Sequence, residues 1–200
     1  MPFQYLALGD SYTIGEALPV VDSYPYQVVQ LLRKEGLQMA APEIIARTGW
    51  TTDELQTAMD NYTFLTNYQA VSLLIGVNNQ YRGYPIQTFK REFEHLLQQA
   101  IQFAQNKKEN VFVLSIPDYS VTAFAQEKNP DKIQKEIEAF NAVKQSVCKA
   151  NNINFINITE STRRAKNNVH LLAADGLHPS AEEYRVWALQ LAQKIAQVLT

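Results

Sequence analysis

The sequence predicts an α/β fold in which a five-stranded parallel sheet is covered by helices. Short apolar runs alternate with longer segments whose apolar residues recur at helical spacing, the pattern of strands separated by crossover helices. The runs number five, which suits a compact doubly wound sheet. No internal repeat, low-complexity tract or linker divides the 200 residues, so one domain spanning 1–200 is expected.

The first strand is read at Tyr5–Leu8. A helix should then start with Asp22 or Ser23 as N-cap, carry Pro25 in its first turn and stop at Gly36, with Val28, Val29, Leu31 and Leu32 as its buried stripe. The second strand is Glu43–Ala46. Thr51 followed by Glu54 fits a capping box, which starts a short helix and leaves Gly49 in a strand-to-helix loop. The third strand is Ala70–Ile75. A helix from about Ile86 to Gln105 aligns Phe89, Phe93, Leu96, Leu97, Ala100, Ile101 and Ala104 on one face, with His95 off the stripe.

Val111–Ser115 is the fourth strand, followed by a helix from about Asp131 to Ala150 that presents Ile133, Ile137, Phe140, Val143 and Val147. Asn154–Ile158 is the fifth. The last helix begins at Ser180 and presents Tyr184, Trp187, Leu191, Ile195 and Val198. Ile116–Pro130 and Thr159–Pro179 read as the longest irregular stretches. Both follow strands, on the edge where open α/β sheets bind ligands.

Composition narrows the function. Hydrophobic residues make up 46% and charged residues 19%, with a net charge of -2 and no basic stripe of the kind that a phosphate backbone requires, so nucleic acid is not an expected partner. Cys148 is the only cysteine, which excludes an internal disulfide. Met1 to Asp10 lacks a basic n-region and no apolar run reaches membrane-spanning length, so a cytoplasmic protein is expected. His95, His170 and His178 lack metal-ligand spacing, and no glycine-rich phosphate loop follows the first strand.

Four segments carry polar groups suited to chemistry: Gly9-Asp10-Ser11-Tyr12, Arg47-Thr48-Gly49-Trp50, Gly76-Val77-Asn78-Asn79 and Asp175-Gly176-Leu177-His178-Pro179. Each alone is also an ordinary turn or helix cap. In a parallel sheet, however, their loops converge on one edge. A serine hydroxyl needs a base to take its proton, and His178 is the leading candidate for Ser11. Asp175, three residues before His178, could hold the imidazole in the required tautomer. The charge that develops on a carbonyl oxygen needs donors, for which the N–H groups of Ser11 and Gly49 and the amide of Asn78 are available.

These blocks resemble those of the SGNH hydrolases, also called the GDSL esterase/lipase family. Ser11 falls in the first block, with Tyr12 where many members have Leu; Gly49 falls in the second, Gly76 and Asn78 in the third, and Asp175 with His178 in the D-x-x-H of the last. The resemblance implies a flavodoxin-like three-layer α/β/α sandwich with five parallel strands, and a serine carboxylester hydrolase. It makes Ser11 the nucleophile, His178 the base, Asp175 its orienting partner, and Ser11, Gly49 and Asn78 the oxyanion hole. It implies no metal and no cofactor.

Substrate choice rests on the loops. Trp50, Tyr81, Tyr84, Tyr119 and Phe124 are the candidates to line the crevice, as an acyl channel or as a sugar-stacking platform. The apolar character of Tyr119–Phe124 favours a small-molecule or lipid ester, as for a lipolytic esterase, a lysophospholipase or a thioesterase-like enzyme, over a carbohydrate O-deacetylase. A noncatalytic binding module is the reading from another class, since the same sandwich hosts other sites.

Overall fold

In a computed structural model that describes residues 1–200, the five runs form the strands β1 (Tyr5–Asp10), β2 (Glu43–Arg47), β3 (Ala70–Leu74), β4 (Val111–Leu114) and β5 (Asn154–Ile156). All neighbours pair in parallel, in the order β2-β1-β3-β4-β5. Every residue of β1, β3 and β4 is buried, as parallel strands covered on both faces must be. The chain adds β2 on one side of β1 and then returns to add β3 on the other. This reversal places a crevice at the carboxyl ends of β1 and β3.

Nine α-helices complete the chain: α1 (Ser11–Ile14), α2 (Tyr24–Lys34), α3 (Thr52–Asp60), α4 (Val77–Tyr81), α5 (Ile86–Phe103), α6 (Ala123–Gln126), α7 (Pro130–Asn151), α8 (Thr159–Thr162) and α9 (Ala181–Leu199). Helix α2 packs against α9, while α3 packs on α5 and α5 on α7. Their apolar stripes meet the sheet in a continuous core of 49 buried residues. The polar atoms taken into that core mostly find partners, as burial demands. Tyr5 Oη and Ser72 Oγ bond at 2.8 Å, and Trp187 Nε1 donates to Glu183 Oε1 at 2.9 Å.

The expected boundaries hold where a cap marks them. Ser23 is the N-cap of α2, and Ser180 caps α9 by accepting the Glu183 N–H. Thr51 and Glu54 form the reciprocal capping box at α3. Differences fall where the chain makes single turns. Val77–Tyr81 and Ser11–Ile14 are short helices that begin where strands end. The two stretches read as irregular contain α6 and α8 with several 3-10 turns, since segments of four residues are too short to show helical periodicity. Cys148 lies buried in α7, where burial raises its thiol pKa to about 11. No helix is long and apolar enough to cross a membrane.

Candidate active site

Ser11 is the first residue of α1 and follows β1 without a loop. Two features make so sharp a turn possible. Asp10 ends β1 fully buried and accepts the Tyr12 N–H on Oδ1 at 3.0 Å, capping the turn. Gly9 supplies room: a Cβ there would lie 2.1 Å from Thr13 Oγ1 and 2.4 Å from the Leu74 carbonyl oxygen. The serine is thereby presented at the crevice between β1 and β3.

His178 reaches the same point from the far end of the chain. The loop that carries it is closed by backbone bonds from Ala173 N to the His178 carbonyl at 2.7 Å and from Ser180 N to the Leu171 carbonyl at 2.8 Å. Within the loop, Asp175 Oδ1 accepts the N–H groups of Leu177 and His178, each at 3.0 Å. Asp175 Oδ2 lies 2.6 Å from His178 Nδ1, and His178 Nε2 lies 2.9 Å from Ser11 Oγ. Burial opposes ionisation of Asp175, but the hydrogen bonds from the His178 ring and the two backbone N–H groups outweigh it and lower its pKa. The Tyr12 ring packs 5.1 Å from the imidazole, centroid to centroid. The arrangement can pass a proton from the hydroxyl to an imidazole whose other nitrogen is held by a carboxylate.

Gly49 and Asn78 line the same cleft as Ser11 and His178. Gly49 has φ +84°, a conformation that disfavours a side chain, and its N–H donates to no group of the protein. Asn78 spends one amide hydrogen on the Trp50 carbonyl at 3.0 Å, leaving the second free. The cleft measures about 170 Å³, and its apolar wall is made by Val77, Tyr81, Tyr119, Phe124 and Leu177.

Tyr81, Tyr119 and Phe124 therefore stand where the sequence placed candidate substrate contacts, but Trp50 and Tyr84 do not line the cleft. The Trp50 side chain packs against the hydrophobic core, so its part in the site is its backbone carbonyl. Tyr84 is half-buried beyond the end of α4, its N–H bonded to the Asn79 carbonyl at 2.8 Å. Sequence reasoning missed Thr48, Val77 and Leu177 as lining residues, although each lies inside a block already singled out. It also missed the fully buried Asn79, whose amide accepts from Thr52 N at 3.1 Å and donates to Thr52 Oγ1 at 2.7 Å.

Beneath the site lie two buried titratable groups. The carboxyl of Asp10 is pushed up to about 7 by burial, against the opposing effects of the Tyr12 N–H and Lys144, and its Oδ2 has no partner. Lys144 on α7 is pulled down to about 7 by burial, and its Nζ donates to the carbonyls of Leu114 at 2.7 Å and Ile75 at 3.0 Å. That ammonium ties together the carboxyl ends of β3 and β4. No three His, Cys, Asp or Glu side chains are grouped to hold a metal ion.

A parallel sheet that brings a serine, an imidazole and a carboxylate together at its carboxyl edge is suited to acyl transfer, and the family match makes this chain a carboxylic ester hydrolase. The chain belongs to the GDSL-like Lipase/Acylhydrolase family, whose model matches residues 7–186. No curated protein matches it significantly by sequence. Among solved structures it is similar to the lipase/acylhydrolase from Enterococcus faecalis, with 22% identity and a TM-score of 0.77 over 98% of this chain and 96% of that one. It is also similar to an acetylxylan esterase from Geobacillus stearothermophilus, with 17% identity and a TM-score of 0.72 over 96% and 94% of the two chains. A member of the lipolytic protein G-D-S-L family from Veillonella parvula shows 16% identity and a TM-score of 0.67 over 98% and 97%. At these identities the likeness is one of fold.

Proposed function

We propose that this ester hydrolase acts through Ser11, His178 and Asp175 by way of an acyl-enzyme. The observation that carries the proposal is the chain of contacts Ser11 Oγ–His178 Nε2–His178 Nδ1–Asp175 Oδ2, at 2.9 and 2.6 Å, on the floor of an apolar cleft. Ser11 Oγ attacks the ester carbonyl as its proton passes to His178 Nε2. The oxyanion that forms is held by the N–H groups of Ser11 and Gly49 and the free amide hydrogen of Asn78. Collapse expels the alcohol, which leaves with the proton from His178. Water then gives a proton to the same nitrogen and attacks the acyl-enzyme, and as the bond to Ser11 Oγ breaks, His178 returns that proton to Oγ and the carboxylic acid is released.

A cleft of about 170 Å³ falls below the ~300–1,000 Å³ of sites for drug-sized ligands, so the acyl group it accepts is short or medium in length. Its aromatic and aliphatic wall favours acyl chains. Tyr81 and Phe124 nevertheless expose 49% and 41% of their surface at the mouth, and such rings can also stack on a sugar. That exposure supports the second reading, a carbohydrate O-deacetylase using the same three residues.

Hydrolysis of p-nitrophenyl esters from acetate to palmitate, compared in wild type and Ser11→Ala, tests both readings. Turnover should vanish in the variant with the circular dichroism spectrum unchanged, and the wild-type rate should peak at short to medium chains. A variant that retains the wild-type rate overturns the serine mechanism. Activity confined to acetylated sugars selects the second substrate class.

A further inference from the structure

Two side chains of α4 and its C-cap hold consecutive carbonyls of the loop after β2. Asn78 donates to the carbonyl of Trp50 at 3.0 Å, and Arg82 donates through Nη2 to the carbonyl of Gly49 at 2.6 Å. The Arg82 N–H bonds the Asn78 carbonyl at 2.9 Å, so the two residues are one helical turn apart and face the same way. The guanidinium is itself held. Its Nη1 donates to Glu54 Oε1 at 3.2 Å, while Glu54 Oε2 accepts the Thr51 N–H at 2.9 Å. Arg82 and Glu54 thus bracket the Gly49–Thr51 backbone from both ends.

We infer that Arg82 is a positioning residue for the oxyanion hole, fixing the direction in which the Gly49 N–H points into the cleft. The inference rests on the serine hydrolase reading above. Glycine at φ +84° has more backbone freedom than any other residue, and a donor aids the transition state only if it is aimed before charge develops. The Gly49 carbonyl lies in the peptide plane after the residue and the N–H in the plane before it; the Arg82 bond holds the first plane, and the Trp50 N–H on the Arg47 carbonyl at 3.3 Å closes the turn around the second, so together they supply the restraint that the residue type lacks. A lysine is a poor substitute, because one ammonium lacks the planar fork that spans Glu54 and the Gly49 carbonyl.

The test measures kcat and KM for p-nitrophenyl butyrate in wild type, Ser11→Ala, Arg82→Ala and Arg82→Lys, with melting temperatures and inhibition by phenylboronic acid, whose adduct on Ser11 places an oxygen in the hole. Arg82→Ala should lower kcat about 10- to 100-fold, the scale of a misaligned reacting group. KM should stay nearly constant, and boronate inhibition should weaken by the same factor as kcat/KM falls. Arg82→Lys should recover only part of the rate. The melting temperature should hardly change, since the Arg82 side chain is 41% exposed and surface ion pairs contribute little. A wild-type kcat in Arg82→Ala, a change confined to KM, or a rate loss matched by loss of folded protein overturns the inference. Retained turnover in Ser11→Ala instead overturns the reading beneath it.

Discussion

Asp175 Oδ2 lies 2.6 Å from the Nδ1 of His178, while Oδ1 of the same carboxylate accepts the His178 backbone N–H at 3.0 Å. One side chain thus fixes both the ring and the loop that carries it. In Asp175→Asn the amide can still accept the backbone bond through its oxygen, but it presents N–H to the ring. The imidazole is then driven to the tautomer that bears its proton on Nε2, which cannot take the proton of Ser11. We expect kcat to fall about 10⁴-fold, the scale seen when a triad aspartate is changed to asparagine, with KM little altered. Steady-state kinetics on a p-nitrophenyl ester checks this, and a loss of less than tenfold would show that Asp175 does not orient the base.

The carboxylate also links folding to acid. Its pKa is lowered in the folded protein, so the stability it contributes is present above the ordinary value near 3.8 and is lost as pH falls through the lower folded value. Melting curves of wild type and Asp175→Asn should therefore converge as pH drops below that range, and a constant gap down to the acid limit would contradict the lowered pKa.

The sheet and its long helices were legible because burial leaves a periodic mark. Val28, Val29, Leu31 and Leu32, or Phe89 through Ala100, face the core at the spacing that a helix imposes. The candidate site residues Ser11, Gly49, Asn78, Asp175 and His178 could be singled out for another reason: each sits in a short polar block directly after a strand or before a helix, where topology brings loops together. Arg82 and Asn79 were not. Their roles depend on which carbonyl or hydroxyl lies across the crevice in segment 49–52, a tertiary relation that spacing along the chain does not encode. Trp50 was misplaced because an aromatic beside a loop glycine can turn to either side, and here the core takes it.

Gly9, two residues before Ser11, and Gly49 should fail differently when given a methyl group. At Gly9 the obstacle is space, with backbone oxygen of Leu74 only 2.4 Å from the new Cβ. Backbone cannot yield as a side chain does, so Gly9→Ala should cost about 3 kcal/mol or more, at the upper end of overpacking effects. At Gly49 a Cβ meets nothing closer than Arg82 Nη2 at 3.5 Å, and the cost is the left-handed backbone alone. Gly49→Ala should lose about 1–2 kcal/mol of stability. Its kcat should fall tenfold or more, because relaxation of φ turns the N–H away from the cleft. Urea unfolding and kcat measured together separate the two, and equal stability losses would refute the distinction.

The aromatic wall predicts acyl selectivity. Tyr81, Tyr119 and Phe124 pack with ring centroids 6.0–6.4 Å apart, and Tyr119 is anchored from behind by its hydroxyl bond to Gln80 Oε1 at 2.9 Å. Phe124, 41% exposed beside Tyr119, has no polar anchor of that kind, and truncating it removes contact area without unsettling the core. Phe124→Ala should weaken kcat/KM for hexanoate or octanoate esters about fivefold, equivalent to about 1 kcal/mol or roughly one lost methylene of burial. The acetate ester, too short to reach the ring, should be unaffected. A uniform loss across chain lengths would place Phe124 outside the acyl path.

The last prediction concerns Asp10, whose carboxyl is pushed up to about 7 by burial while an unfolded aspartate ionises near 3.8. Between those values the folded chain holds a proton that the unfolded chain has released, so stability falls as pH rises from about 4 to about 7. At about 1.4 kcal/mol per pH unit the full interval corresponds to a loss of up to about 4 kcal/mol. Lys144 acts in the opposite sense. Its folded value of about 7 lies below the ordinary 10.5, so the unfolded chain binds the extra proton and stability recovers as pH rises above neutrality. Asp10→Asn keeps an oxygen to accept the Tyr12 N–H and cannot ionise. Its urea midpoint should therefore hold steady across the acid-to-neutral range in which that of wild type declines, and above pH 7 the variant should be the more stable of the two. The unpartnered Oδ2 points the same way, since a buried carboxylate oxygen without a donor is the atom that ionisation penalises most. Parallel midpoints for the two proteins from pH 4 to 8 would mean that Asp10 keeps an ordinary pKa and that the charge of Lys144 is balanced elsewhere.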